Sequence, residues 1–217
     1  MFNSRYEAIV NNMGEFVYHI LGCGAIGSST AIQLVRMGAE EVILYDFDKV
    51  EDANVGVSQY TTDDVGKYKT DALKHHLKSI NPDINVMPIN GQFKKWNASD
   101  RNDIVILGFD SMSSRMDAVT RISHAGKANM PYVLIDGRMG AEHYQQYTFL
   151  KPSLNQYVQT WYTDESGDPE PCNAKATSYC SNMSGSFIVN SIRKIITHQP
   201  FDKELSFNFP TMMLQIK

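Results

Sequence analysis

Gly22, Gly24 and Gly27 in the run Leu21-Gly22-Cys23-Gly24-Ala25-Ile26-Gly27-Ser28 have the GxGxxG spacing of a loop that cradles phosphate. The first glycine permits a tight turn, the second lets an anion approach the backbone, and the third lets a helix pack closely on the preceding strand. The start of that helix offers unpaired N–H groups, those of Ala25 and Ile26 included, and the positive end of a dipole. Asp46 follows about twenty residues later, at the end of a second apolar run, where a carboxylate can accept both hydroxyls of a ribose. Together these residues describe a nucleotide site and leave a dinucleotide and ATP both open. The bland competitor is a glycine-rich turn beside a surface acid.

The elements that must position these residues alternate. Phe16–Leu21, Val42–Tyr45, Ile84–Ile89, Ile104–Leu107 and Tyr132–Ile135 are short apolar runs that read as buried strands. Ser28–Met37, Asp64–Ile80 and Met116–Ala128 have helical spacing, with Gly38 and Asn81-Pro82 as stops. Such alternation predicts a Rossmann-like α/β fold, a doubly wound and mostly parallel sheet with helices on both faces. After Lys151 the style changes. Gln145–Leu150 and Gln156–Thr163 alternate like antiparallel strands, Thr163–Asn173 is turn-rich, Ala174–Thr197 reads as a helix, and Phe201–Ile216 as a final strand. The expectation is a single domain over 1–217: an N-terminal arm (1–15), a nucleotide-binding core (16–150), and C-terminal strands, crossover loop and helix (151–217).

Length and composition bound the rest. The 217 residues suffice for one domain with a sizeable core, and 42% apolar against 20% charged residues is a globular balance. A net charge of -4 argues against a broadly basic nucleic-acid binder. No apolar run is long enough to span a bilayer, and the N-terminus has no export pattern, so the expected compartment is the cytoplasm. Cys23, Cys172 and Cys180 are an odd set without a CxxC pair, which implies free thiols and excludes a four-sulfur zinc site. His75 and His76 point about 100° apart on a helix and read as a solvated face.

Further spaced residues follow the glycine loop in order: Asp46-Phe47-Asp48-Lys49-Val50-Glu51, Asn54, Val65-Gly66-Lys67-Tyr68-Lys69 and Gly108-Phe109-Asp110-Ser111. Over roughly residues 5–195 this series resembles the E1-like family, the ThiF/MoeB adenylyltransferases and ubiquitin-activating enzymes. The resemblance implies adenylation of a carboxylate with ATP and Mg²⁺. It assigns Lys69 to the phosphates, Asp110 to Mg²⁺, Asp46 to the ribose, Asn54 to the nucleotide and Asp48 to an assisting role. Two anions must meet in this chemistry, so cations and a metal are needed.

The family usually places Arg-Gln three and four residues after the Asn. Here Asn54-Val55-Gly56-Val57-Ser58-Gln59-Tyr60 has no arginine, and Gln59 matches only through a shift of register. Arg5, in Asn3-Ser4-Arg5-Tyr6, resembles the family's N-terminal arginine that reaches the partner subunit's ATP site. Arg138 is the second candidate replacement, and Arg115 is expected to pin the Asp110 loop. Cys172 precedes a helix, whose N-terminus lowers a thiol pKa, and it matches the family's nucleophilic position. Cys180 is expected to be buried.

The resemblance thus implies a short, zinc-free, homodimeric adenylyltransferase. Its substrate would be the C-terminal Gly-Gly carboxylate of a small ubiquitin-like or sulfur-carrier protein, with or without transfer to Cys172 as a thioester or acyl disulfide. Activation of a peptide or small-molecule carboxylate stays open within the family. An NAD-dependent oxidoreductase would use the glycines and Asp46 but leaves Lys69 and Asp110 unexplained. A non-catalytic nucleotide-binding module is the other alternative.

Overall fold

The computed structural model describes residues 5–99, 101–166 and 176–217. Five strands, β1 (Phe16–Leu21), β2 (Glu41–Asp46), β3 (Asn85–Asn90), β4 (Asn102–Leu107) and β5 (Val133–Gly140), are joined in parallel. Three more, β6 (His143–Leu150), β7 (Glu204–Asn208) and β8 (Met213–Ile216), continue the sheet antiparallel. The order is β3-β2-β1-β4-β5-β6-β7-β8. The chain therefore winds outward from β1 to β3, then returns to the other side of β1. In such sheets ligands bind at that reversal, beyond the carboxyl ends of the strands.

All six residues of β1 are buried, as a central strand covered on both faces requires. On one face pack α1 (Ala25–Arg36), α3 (Lys69–Ile80) and α6 (Ser178–Ile196), which meet Tyr18, Ile20 and Leu44 through Leu34, Leu73, Leu77 and Ile188. On the other pack α4 (Met112–Ser123) and the short α5 (Leu154–Val158), with Val119, Ile122 and Tyr157 against Leu21, Val105 and Leu134. Helices α1 and α6 touch closely because Gly185 has no side chain. A Cβ there would lie 2.5 Å from the Ser29 hydroxyl. Among the described residues no helix is long and apolar enough to cross a membrane.

The architecture matches the expected one, but several bounds move. The helix expected from Asp64 starts at Lys69, because Gly66 takes a left-handed φ of 87° and residues 62–64 form one separate turn capped by Thr61 and Asp64. The helix expected at Met116–Ala128 runs Met112–Ser123. Ser111 caps it by accepting from the Ser114 amide, and left-handed Gly126 lies just beyond its end. Gln156–Thr163 is no strand. Ser153 accepts from the Gln156 amide and starts α5, whose Tyr157 is fully buried. Phe201–Ile216 is a hairpin of two strands, turned by Asn208, whose side chain accepts from the Thr211 amide. Asp136 and Arg138 lie inside β5, which runs to Gly140, rather than after it.

Candidate nucleotide site

The glycine loop takes the form its spacing predicts. Gly22 has φ 94°, and a Cβ there would fall 2.7 Å from the Gly108 backbone. A Cβ on Gly27 would meet the Gly22 carbonyl oxygen at 1.9 Å, so this glycine is what lets α1 pack against the turn. Gly24 caps α1, and nothing lies within 4 Å of the place its Cβ would occupy. Gly108 itself abuts the loop, its would-be Cβ 3.0 Å from the Gly22 oxygen. Ile26 puts its side chain into the core, so it and Ala25 offer only backbone to a ligand.

A cavity of about 340 Å³ opens beside this loop at the carboxyl ends of β1, β2 and β4. It is within the size range of small-molecule sites. Gly22, Gly24, Asp46, Asp48, Lys69 and Asp110 all line it. Asp46 accepts from the Cys23 amide at 2.7 Å and the Asp48 amide at 2.8 Å, which aims the carboxylate beside the loop. Burial pushes its pKa up, against the opposing pull of those amides and Lys69. Lys69 stands at the start of α3, its ammonium 2.8 Å from the Asp48 carboxylate. Burial alone would lower the Lys69 pKa, but the bond to Asp48 and the charges of Asp46, Asp48 and Asp110 raise it, so it stays a cation. Asp110 is exposed in the cavity with no hydrogen-bond partner among the described residues, because Ser111 takes the capping role.

Other expected residues are placed elsewhere. Asn54 does not line the cavity, and its side chain accepts from the Glu51 amide at 3.0 Å, closing a one-turn helix. Gln59 donates to Asn182 on α6 at 2.8 Å. Arg138 does not line the cavity. It is buried, paired with Asp136 at 2.7 Å, bonded to the Thr160 carbonyl and covered by the rings of Tyr147 and Tyr162. Arg115 does pin the chain before Asp110, donating to the carbonyls of Leu107 and Phe109 as well as to Asp136. Arg5 is exposed, on a segment whose Tyr6 donates to the Arg36 carbonyl at the end of α1 away from the loop. Cys172 lies outside the described residues. Cys23 and Cys180 are fully buried, and burial, with Asp46 and Glu142 respectively, pushes their thiols up, Cys180 to about 11. His76 is not simply solvated, since its Nε2 lies 2.7 Å from Asp64.

Sequence reasoning missed part of the wall. Phe47, Phe93, Lys94, Ser114 and Arg121 also line the cavity, and Arg121 is fixed by donating to the Lys94 carbonyl at 2.9 Å. Phe47 follows β2 between Asp46 and Asp48, whereas Phe93 and Lys94, on the loop after β3, and Ser114 and Arg121, along α4, sit where no motif marks them. A larger cavity, about 890 Å³, opens at the opposite edge of the sheet between Arg101, Lys127, Tyr132 and Lys151. Size does not make it the better candidate. Its buried carboxylate, Asp103, is already occupied by His19 and the Ser99 amide.

Residues 7–215 match the ThiF family. Ubiquitin-like modifier-activating enzyme 5 of Arabidopsis thaliana is 31% identical over 157 residues, which are 72% of this chain and 33% of that protein. The chain thus spans about a third of the length of such curated relatives. Among solved structures, E. coli MccB with ATP superposes with a TM-score of 0.75 at 17% identity, covering 100% of this chain and 68% of that one. PaaA superposes with a TM-score of 0.72 at 18% identity, covering 94% and 64%. At such identities the likeness to both is one of fold.

Proposed function

Because the chain belongs to the ThiF family, we propose that it adenylates the C-terminal carboxylate of a small ubiquitin-like or sulfur-carrier protein with ATP. One observation carries this reading: the glycine loop, Asp46, Lys69 and Asp110 converge on one cavity at the reversal of the sheet. An NAD-dependent oxidoreductase would need the first two and gives no role to Lys69 or Asp110. The relatives, an activating enzyme for ubiquitin-like modifiers and MccB with ATP, favour the same direction.

In this reading the ATP phosphates lie on the Gly22–Gly27 loop and the ribose hydroxyls bond Asp46. Lys69 neutralises charge on the phosphates as the incoming carboxylate approaches. A carboxylate oxygen forms a bond to the α-phosphorus, and the bond to pyrophosphate breaks, its electron pair leaving with the pyrophosphate. Asp110 suits Mg²⁺, being a carboxylate that no protein group among the described residues occupies, and Mg²⁺ is commonly held by one or two carboxylates plus substrate phosphates. When bound, the metal supplies charge neutralisation. Transfer of the acyl group to Cys172, action as a homodimer and donation of Arg5 across it belong to the same proposal.

The experiment is exchange of labelled pyrophosphate into ATP, with and without a carrier protein ending in Gly-Gly. Carrier-dependent exchange is expected. ATP binding without exchange for any carrier or peptide carboxylate would leave a non-catalytic module and overturn the reading. Cys172→Ala should retain exchange while losing any thiol-sensitive protein–carrier adduct.

A further inference from the structure

The Tyr60 hydroxyl donates to the carbonyl of Cys23, inside the glycine loop, at 2.5 Å. The same oxygen lies 3.2 Å from the carbonyl of Lys69. Tyr60 is 4% exposed, its ring packed in the core with Cys23, Val50, Ala72 and Leu73, and it does not line the cavity. Burial first, then the charges of Cys23, Asp46 and Asp64, push its phenol well above the ordinary range, so it keeps the proton it donates.

Peptide geometry turns this contact into a statement about the ligand side. The peptide bonds of the described residues are all trans, so the carbonyl and N–H of one unit point in opposite directions. A Cys23 carbonyl held toward buried Tyr60 therefore turns the Gly24 N–H away from the core. Gly24 lines the cavity, and its face is open. The amides before it are committed: Gly22 donates to the Tyr45 carbonyl at 2.9 Å and Cys23 to Asp46 at 2.7 Å. The Gly24 N–H has no acceptor among the described residues.

We propose that Tyr60 is a positioning residue: its hydroxyl holds the Cys23–Gly24 peptide with the N–H directed at the nucleotide phosphates, and ties that loop to the helix turn carrying Lys69. This rests on the ATP reading above. Neither the glycine motif nor the Asn54–Lys69 spacing requires a hydroxyl at this position.

The test compares ATP with adenosine, which lacks phosphates, on the wild type and Tyr60→Phe, by calorimetry and ligand-observed NMR. Tyr60→Phe is expected to weaken ATP about tenfold, the scale of one hydrogen bond to a charged group, and adenosine less than twofold. Unchanged ATP affinity in the variant, or equal losses for ATP and adenosine, overturns the role of Tyr60 and leaves the ATP site standing. A wild type that binds no ATP overturns both. A measurement on the wild type alone guards against a variant that fails to fold. In a ¹⁵N spectrum, saturating ATP should shift the Gly24 amide more than the committed Cys23 amide. A stationary Gly24 resonance overturns the proposal.

Discussion

The Lys69 ammonium and the Asp48 carboxylate lie 2.8 Å apart on the wall of the cavity that Asp46 and Asp110 also line. Asp48 is about half exposed, so the pair contributes about 0–1 kcal/mol to stability. The cation is thus stored beside the loop at little structural cost. Lys69→Ala should shift the melting temperature by less than about 4 °C, yet cut pyrophosphate exchange at least about a hundredfold. The sign with pH follows from a pKa raised above the usual lysine value. The contribution of Lys69 to ATP affinity is full below that value and is lost only as pH rises through the raised one. The affinity difference between wild type and Lys69→Ala should therefore be flat from about pH 7 to 9. A decline within that interval would show that another group carries the charge.

Asp110 separates metal from nucleotide. It touches no protein donor among the described residues, so Asp110→Ala leaves no buried group unpaired. ATP measured without divalent metal should bind the variant at least as well as the wild type, since one negative charge is gone. The extra affinity and exchange that Mg²⁺ confers on the wild type should be absent. Titrating Mg²⁺ into the ATP complexes of both proteins checks this, and an equal Mg²⁺ response would remove Asp110 from the metal role.

Asp64 holds the turn before Lys69. Its carboxylate accepts from the Thr61 amide at 2.9 Å and hydroxyl at 3.0 Å, and meets His76 at 2.7 Å. Burial alone would raise its pKa, but these partners outweigh it and hold the carboxyl well below the usual range. A depressed carboxylate stabilises the fold above its unfolded pKa, near ~3.9, and loses that contribution as pH falls through the folded value. Asp64→Asn should lower stability by about 2 kcal/mol at pH 7, read as a shift in urea midpoint. The gap between wild type and variant should still be present at about pH 5 and close as pH falls below about 4.

Asp136 is fully buried between two buried arginines, accepting from Arg115, from Arg138 at 2.7 Å and from the Tyr157 hydroxyl at 2.9 Å. Asp136→Asn leaves two cations without their counter-charge, which costs about 3–5 kcal/mol. Melting should fall by about 10 °C or more in calorimetry. A variant as stable as the wild type would mean that the arginines are neutralised by something other than Asp136.

What could be read in advance, and what could not, divides along the range of the interactions. Gly22 and Gly27 are legible because the turn itself demands them, Gly22 through its left-handed φ and Gly27 because a Cβ there would strike the Gly22 carbonyl five residues earlier. Buried runs such as Phe16–Leu21 are legible for the same reason, since a strand covered on both faces admits little but apolar side chains. Gln156–Thr163 misleads because its aromatics alternate as in a strand. The local cap at Ser153 and the burial of Tyr157 against Asp136 decide for helix instead. Arg138 misleads because an arginine near a strand end looks available, while its partner lies two residues away in the same strand. Tyr60 carries no signal at all. Its contact is a backbone carbonyl 37 residues earlier, and no side-chain pattern encodes a carbonyl.

Arg5 sets the last test. It is exposed on the arm beside the far end of α1, the end where Tyr6 bonds the Arg36 carbonyl. The glycine loop is at the other end of that helix, and twelve residues at about 1.5 Å each put roughly 18 Å between them. Within one subunit this places the Arg5 segment far from the cavity, and in the proposed homodimer its route to a phosphate is into the site of a second copy. An arginine supplied in trans is worth several kcal/mol in related phosphate chemistry. Arg5→Ala should cut exchange strongly without changing the melting temperature or the mass in solution. Mixed with Lys69→Ala, it should recover part of the activity. Each mixed dimer holds one site with both Lys69 and a donated Arg5, and one site with neither. Recovery should rise with the fraction of mixed dimer, measured by tagging one variant. Subunits that exchange without any return of activity would place Arg5 outside the reaction, and a fully active monomer would remove the need for a second copy altogether.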